Sequence, residues 1–206
     1  NVFKTKKVEF ETTEEFTPPD PKDWKPGAKA DKLVTITNPT DFDLAVRVSY
    51  TEEWIALDGT KLPNTLTVDG ATQRVVDIHM PDAANWIKDG TEDNEKGQPV
   101  NTWYYYNKKL KQGDTITFMD YVTYNSKVDI NFDEVTTYTY TDDTTSTGTT
   151  PVEGKTVKKI TKKYTSEESG YAGATYTLTI TIQTVQYDAY ESHWGVTRDT
   201  VDIKEA

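Results

Sequence analysis

Apolar and polar side chains alternate along two stretches of this sequence, and this alternation restricts the chain to one fold class. In the first stretch, apolar residues are separated by Ala45, Arg47 and Ser49; they are Leu44, Val46, Val48 and Tyr50. In the second stretch, threonines separate Tyr176, Leu178, Ile180 and Ile182. Successive side chains of a strand point to opposite faces, so each stretch predicts a half-buried antiparallel β-strand. We expect the core face to include Val46, Val48, Tyr50, Leu178, Ile180 and Ile182.

Further runs of β-branched and aromatic residues, separated by turn signals, predict additional strands. These are Val2–Phe10, Leu33–Thr37, Thr65–Val68, Arg74–His79, Thr115–Tyr124, Val135–Tyr140 and Val157–Tyr164. Two short helices are expected, one at Pro81–Trp86 with Gly90 as its stop and one at Asp188–Trp194 before Gly195. Residues Asp142–Gly154 read as an exposed hairpin tip. Many short strands of this kind predict an all-β fold, a jelly-roll-like antiparallel β-sandwich in a single domain of residues 1–206.

The composition narrows the possible partners. The 206 residues carry 34 acidic and 23 basic side chains, a formal net charge of −11, so we expect no binding to nucleic acid phosphates. No apolar run approaches the ~18 residues of a membrane-spanning helix, so no membrane span is expected. The chain has no cysteine, which excludes disulfides and thiol chemistry and slightly favours a bacterial surface protein.

The sequence contains no zinc-protease, serine-hydrolase, phosphate-loop or dinucleotide-binding motif. Its two histidines, His79 and His193, are far apart and lack metal-ligand spacing, which favours an ordinary surface or structural role. The acidic run Asp89–Gly97 could offer oxygen ligands to calcium, but it lacks the order of an EF-hand, so a solvated loop is favoured. We therefore expect no catalytic residue, no metal site and no cofactor.

Two adjacent acids, Glu52 and Glu53, follow the first alternating stretch. Neighbours on a strand point to opposite faces, so they cannot act as a catalytic pair, but one of them could face inward. A buried glutamate could be structural, or it could transfer protons in a Lys–Asn isopeptide reaction, for which Lys4 and Asn38 are candidate partners. That reaction requires a carboxyl that an apolar site keeps neutral.

The triplet Tyr104-Tyr105-Tyr106, after Trp103, has two interpretations. It could be a platform on which sugar rings stack. In a strand, however, alternate rings point to opposite faces, so core packing on one side and a surface ladder on the other is favoured.

Several short motifs together resemble a known family. Their order along the chain is Asn1–Thr5, Asp23–Gly27, Val34–Asn38, Ala45–Tyr50, Trp103–Tyr106, Leu110–Asp114, Val185–Tyr190 and Trp194-Gly195. This arrangement resembles the BsaA-type SipW-dependent biofilm matrix proteins, relatives of TasA and camelysin. The resemblance covers most of residues 1–130 and 171–195.

The resemblance implies a secreted jelly-roll protein that assembles into cell-surface or extracellular-matrix fibres with other copies of itself and other matrix components. It also implies polymerisation by donor-strand exchange, in which the N-terminal strand, including Val2 and Phe3, completes the sheet of a neighbouring subunit. Camelysin-like proteins have been described as proteases, but this chain has no motif that would support proteolysis.

The chain departs from the family pattern in two segments. Residues 133–165 resemble an inserted hairpin, and residues 196–206 extend beyond the usual end. If the extension is placed before Asn1, so that Ala206 precedes Asn1, it resembles the short leader that the family has before its first strand. It is therefore either a donor strand attached to the C-terminus or a native extension. We expect a strand at Thr197–Ile203, with Val201 and Ile203 pointing into the core and Thr197 and Asp199 on the same side.

The leading hypothesis is thus a structural subunit of an extracellular biofilm fibre or pilus. The first alternative is a cell-surface adhesin that binds glycans through its Tyr and Trp side chains. The second is a secreted protease.

Overall fold

The computed structural model of this protein describes residues 11–16, 24–93, 98–128, 132–166 and 170–205. The strand predicted at Val2–Phe10 lies outside these residues. The chain divides into two compact units, one of residues 1–53, 63–127 and 176–206 and the other of residues 54–62 and 128–175. The sequence predicts one domain with an insertion at 133–165, and the second unit contains that segment.

Fourteen strands lie in the described residues. In chain order they are β1 (Glu11–Phe16), β2 (Lys29–Thr37), β3 (Leu44–Ile55), β4 (Lys61–Leu62), β5 (Thr65–Val68), β6 (Ala71–Arg74), β7 (Val76–His79), β8 (Trp86–Asp93), β9 (Gln98–Tyr106), β10 (Thr115–Tyr124), β11 (Phe132–Tyr140), β12 (Thr145–Thr147), β13 (Val157–Ser166) and β14 (Thr175–Gln186). The only α-helix in these residues is α1 (Tyr190–Trp194).

The first unit is a sandwich of two sheets, with strand orders β1-β2-β10-β7 and β14-β3-β9-β8. Phe118 of β10 is fully buried between them. Its ring centroid lies 5.0 Å from that of Trp86 and 5.7 Å from that of Tyr104, both in the opposite sheet. The chain crosses directly between the two sheets after β2, β7 and β9, and it returns through intervening strands after β4 and after β10, as it does in a jelly roll. The predicted all-β, jelly-roll-like sandwich is therefore confirmed as a fold class.

The second unit contains a three-stranded antiparallel sheet in which β11 lies between β12 and β13. Tyr138 and Tyr140 of β11 are buried. The Tyr140 hydroxyl is hydrogen-bonded to Ser146 Oγ at 2.6 Å and accepts the Val152 N–H at 2.7 Å. Most of the segment between β11 and β13 is exposed, which confirms the hairpin tip predicted at Asp142–Gly154.

Most predicted strands are present, with modest changes at their ends. The strands predicted at Thr65–Val68 and Thr115–Tyr124 coincide with β5 and β10. The prediction of one strand at Arg74–His79 is wrong, because β6 ends and β7 begins on either side of Val75. The Val75 N–H donates to the Asn64 carbonyl instead, at 2.9 Å, so the chain changes partner at this residue.

The two predicted helices are shorter than expected. The first is a single 3₁₀ turn at Ala83–Asn85, and Gly90 does not end it. Gly90 lies inside β8 with a φ of 131°, where the register between β8 and β9 shifts. The second consists of a 3₁₀ turn at Tyr187–Ala189 followed by α1, which ends at Gly195 as predicted. Among the described residues, no helix has the length and apolar character that crossing a membrane requires.

The predicted inward face is buried to different depths. Val46 and Val48 are fully buried, whereas the half-buried members are Tyr50, Leu178, Ile180 and Ile182. The threonines between the β14 residues are exposed from Thr175 to Thr181, so the alternation itself is confirmed. The lesser burial of the three β14 residues follows from strand position, because β14 lies at the edge of its sheet whereas β3 has neighbours on both sides.

We predict that Phe118→Ala lowers the free energy of unfolding by about 3–5 kcal/mol, because it removes a ring packed against both sheets and leaves a cavity. Chemical denaturation followed by tryptophan fluorescence measures this change. Thr179→Ala, on the exposed face of β14, is the control and should change stability by less than about 0.5 kcal/mol. Equal midpoints for the two variants would contradict the position of Phe118 between the sheets.

Candidate strand-docking site

The residues proposed for polymerisation differ in their burial, and two of them lie outside the described residues. Val2 and Phe3 lie outside the described residues, and Thr197 and Asp199 are exposed. Val201 and Ile203 are each 0% exposed, so the prediction that both point into the core is confirmed. The strand predicted at Thr197–Ile203 is wrong.

A turn replaces the first part of that strand. The N–H groups of Thr200 and Val201 both donate to the Thr197 carbonyl, at 3.0 and 2.8 Å. From Val201 to Lys204, buried and exposed residues alternate as in an extended chain, and a single parallel bridge joins Lys108 and Lys204. We refer to residues 197–205 as the C-terminal tail.

The tail occupies an apolar groove on the outer face of the second sheet. Five buried side chains form this tail groove: Ala45, Tyr105, Val185, Tyr187 and Tyr190. Val201 and Ile203 complete the same buried cluster. Ala45, Tyr105 and Val185 come from β3, β9 and β14, so the groove spans three adjacent strands. The small side chain of Ala45 leaves room for two β-branched side chains above the sheet.

Hydrogen bonds hold the main chain of the tail in this groove. The hydroxyls of Tyr187 and Tyr190 donate to the carbonyls of Ile203 and Val201, at 2.9 and 3.1 Å. The Lys204 N–H donates to the Asn107 carbonyl at 2.9 Å, and the Lys204 carbonyl accepts the Lys109 N–H at 3.0 Å. These bonds recognise an extended backbone, whereas the apolar cluster selects the side chains at alternate positions.

The local sequence explains why the chain returns to the sheet. Gly195 ends α1 in the left-handed region, with a φ of 66°, which a glycine adopts without a Cβ clash. The Val196 N–H then donates to the Glu191 carbonyl at 3.1 Å. Arg198 is held to the same helix, because its backbone N–H donates to Glu191 Oε1 at 3.1 Å. The helix and the turn therefore direct the tail across the groove.

A cation–aromatic cluster borders the groove. The guanidinium carbon of Arg47 lies 4.0 Å from the ring centroid of Trp103 and 4.7 Å from that of Trp194. Its Nε and Nη2 donate to Gln183 Oε1 at 2.8 and 2.6 Å. The Trp194 ring also packs edge-on against Tyr105, 5.7 Å between centroids. The long Arg47 side chain thus fixes both indoles beside the groove.

The tyrosine triplet contributes to both faces of β9. Tyr105 is buried in the tail groove, whereas Tyr104 and Tyr106 lie on the other face. Tyr104 stacks on Tyr50 at 5.8 Å and Tyr106 packs against Trp86 at 5.6 Å, between ring centroids. All three rings therefore have packing partners in the protein, which supports core packing over the sugar platform. The expected surface ladder is wrong for Tyr105, because the tail buries that ring.

A second polar cluster surrounds Glu52, which is 3% exposed, whereas Glu53 is exposed. The Glu52 carboxylate forms an ion pair with Arg74 and accepts the Tyr176 hydroxyl at 2.8 Å. Burial raises the pKa of the Glu52 carboxyl, while the charge of Arg74 opposes this shift. Burial also raises the pKa of the Tyr176 hydroxyl, so this group remains a donor. The prediction that one of the two adjacent acids faces inward is confirmed.

The candidate isopeptide residues have other partners in the structure. The Asn38 amide nitrogen donates to the carbonyls of Phe42 and Leu110, both at 2.8 Å. Its oxygen accepts the Thr40 N–H at 2.9 Å, so the buried Asn38 side chain closes the turn that follows it. Lys4 lies outside the described residues. The isopeptide reaction therefore stays a prediction.

His79 lies on the outer face of the first sheet, where two register shifts in β10 rearrange the side chains. Phe118 and Met119 are both buried, although they are consecutive, and the next two residues are both partly exposed. His79 Nδ1 consequently lies 2.6 Å from Asp120 Oδ1, and its ring stacks on Tyr121 at 4.2 Å. The alternating pattern of the sequence could not reveal this pair, because a bulge breaks the alternation.

No group of three or more His, Asp or Glu side chains is placed to hold a metal ion in the part of the chain that the structure describes. Asp89 of the predicted acidic loop is exposed on β8, and residues 94–97 lie outside the described part. His193 is exposed in the last turn of α1.

Comparison with known proteins places the chain in no family. No family model matches it, and no curated protein matches it. Among solved structures it is similar to the CBM3a-L domain with flanking linkers from scaffoldin cipA of the Clostridium thermocellum cellulosome. The two share 10% identity with a TM-score of 0.19, over 83% of this chain and 86% of that chain. The resemblance to the biofilm matrix proteins therefore stays a prediction.

We predict that Ile203→Ala lowers the free energy of unfolding by about 2–5 kcal/mol, because a fully buried branched side chain is truncated. Urea denaturation of the full chain measures the effect. Asp202→Ala, at the exposed position beside it, is the matched control and should change stability by less than about 0.5 kcal/mol. Identical stabilities would show that the tail contributes nothing to the core.

We also predict that Arg74→Met destabilises the protein by about 3–5 kcal/mol near pH 8, because it leaves the Glu52 carboxylate buried without its cation. A carboxyl whose folded-state pKa is raised disfavours folding above that pKa. This penalty disappears as the pH falls towards the ordinary value of about 4.3. The difference between variant and wild type should therefore shrink between pH 8 and pH 5, as measured by denaturation at both values. Adding Glu52→Gln to the variant should abolish the pH dependence; if it persists, Glu52 is not its source.

Proposed function

We propose that this protein is a secreted structural subunit of an extracellular biofilm-matrix fibre or pilus, that it polymerises by donor-strand exchange, and that it is not an enzyme. One observation supports this proposal above the others. An extended segment buries two β-branched side chains completely in a groove that also binds its main chain. A groove with these properties can accept an extended segment from another copy in the same way.

The proposed exchange replaces the tail with a segment of a neighbouring subunit. The hydroxyls of Tyr187 and Tyr190 bind carbonyls of any extended chain, so they do not require the tail's own sequence. The apolar cluster of the tail groove selects a segment with apolar side chains two residues apart, like Val201 and Ile203. The resemblance drawn from the sequence implies that the exchanged segment is N-terminal, before or including Val2 and Phe3.

The tail in its groove closes the subunit, so the full chain should be a monomer with respect to this exchange. We predict that deleting Thr197–Ala206 exposes the groove and allows the truncated chain to polymerise or to bind a peptide of residues 197–206. Electron microscopy reports polymerisation, and fluorescence anisotropy of the labelled peptide reports binding. The matched control is the same peptide with Val201→Asp and Ile203→Asp, which should not bind.

Other outcomes separate the alternatives. A truncated chain that stays monomeric, keeps its melting temperature and ignores the peptide would refute the exchange. An adhesin would remain monomeric in both forms and would be retained on an immobilised polysaccharide. A protease would degrade a general protein substrate. Retention on the polysaccharide would favour the adhesin over the fibre subunit, and degradation of the substrate would favour the protease.

A further inference from the structure

The second unit contains a strongly basic strand, although the protein as a whole is acidic. Strand β13 contains Lys158, Lys159, Lys162 and Lys163 within the sequence Lys-Lys-Ile-Thr-Lys-Lys, whereas the whole chain has a net charge of −11. All six residues of this run are exposed, so both faces of the strand are open to solvent. Even Ile160, at its centre, is 57% exposed.

Strand β13 is also at an edge of its sheet. The strand order is β12-β11-β13, so in the described residues β13 pairs with β11 on one side. The edge presents backbone N–H and C=O groups that another strand can satisfy. Lysines on an edge strand commonly prevent pairing with other edges. They oppose a neutral or basic strand, but they favour an acidic one.

An acidic edge strand is present in the same chain. Strand β1, with the sequence Glu-Thr-Thr-Glu-Glu-Phe, pairs with β2 at the end of the order β1-β2-β10-β7. Its pairing with β2 is regular from Glu11 to Phe16, without a register shift. Among the described residues, each copy of the protein therefore has β1 as an acidic edge strand and β13 as a basic edge strand.

The spacing of the charges on the two strands is complementary. In β1, two threonines separate Glu11 from Glu14 and Glu15; in β13, Ile160 and Thr161 separate two lysine pairs. One alignment in each strand direction places three glutamates opposite three lysines. In the parallel alignment Glu11 lies opposite Lys159 and Glu14 lies opposite Lys162. In the antiparallel alignment the two glutamates exchange these partners. Directly opposed residues share a face of the sheet, where opposite charges stabilise the pair.

We propose that β1 of one copy pairs with β13 of a second copy. The two sheets then join edge to edge through backbone hydrogen bonds and Glu–Lys pairs. The two surfaces differ, so the contact is heterologous and can repeat from copy to copy. Neither strand contributes to the tail groove. This contact therefore forms whether or not the groove exchanges segments.

Charge reversal in the full-length chain tests the contact. Sedimentation velocity at about 10 mM and about 1 M salt compares long and short screening lengths, about 30 Å and 3 Å. We expect the wild type to associate at low salt and to dissociate at high salt. The double variants Lys159→Glu/Lys162→Glu and Glu11→Lys/Glu14→Lys should each weaken association at least tenfold.

Two combinations make this test specific. The four-substitution variant restores opposite charges and should associate like the wild type. A mixture of the two double variants should also associate, although neither does so alone. The matched control Lys111→Glu/Lys127→Glu lowers the net charge by as much as the double lysine variant does, at exposed positions outside both strands, and should leave association unchanged.

The following results would overturn the proposal. The wild type could be monomeric at low salt, or the four-substitution variant could fail to recover. The lysine variant could also lose binding to a single-stranded DNA oligonucleotide while its self-association is unchanged, which would assign β13 to anionic polymers. The truncated chain could also form fibres while the full chain shows no salt-sensitive association. That result would refute this contact but would leave donor-strand exchange intact.

Discussion

Burial of the outer face of the second sheet is the interaction on which the first unit depends. An antiparallel sandwich usually leaves the outer faces of its sheets to water. Here Ala45 and Tyr105 on that face are almost completely buried, because the residues after β14 fold back over them. Val201 and Ile203 complete this cover, and burying each side chain contributes about 1.5–3 kcal/mol. The tail is therefore part of the core.

The tail groove recognises both the main chain and the side chains of the segment that it binds. This combination is what donor-strand exchange, as proposed, would require. Main-chain hydrogen bonds from Tyr187, Tyr190 and the backbone near Asn107 fix an extended segment without reading its sequence. The apolar cluster then selects side chains of suitable shape. A covalently attached tail binds with a high effective concentration. In the proposed exchange, a segment from a neighbouring copy must therefore form a better-packed contact than the tail does, or bind after the tail has left the groove.

The buried charges have a different role. Removing the Glu52 carboxylate and the Arg74 guanidinium from water is unfavourable, and their mutual attraction offsets this only in part. The Tyr176 hydroxyl satisfies one carboxylate oxygen. This cluster therefore adds little net stability, but it makes the packing at the end of β3 sensitive to loss of either partner.

The sequence by itself determined the fold class, because strict alternation in β3 and β14 and the turn residues between strands are local signals. It also predicted that Val201 and Ile203 would be buried, and it allowed no more than one of Glu52 and Glu53 to face inward. Tertiary structure decided the rest. The sequence pattern predicted a strand at Thr197–Ile203, but hydrogen bonds to the Thr197 carbonyl form a turn there. The Arg74 partner of Glu52 and the Asp120 partner of His79 are distant in sequence, and a β-bulge brings the latter pair together. Local periodicity carries no information about such long-range pairs, since sheet order and register arise only when the whole chain folds.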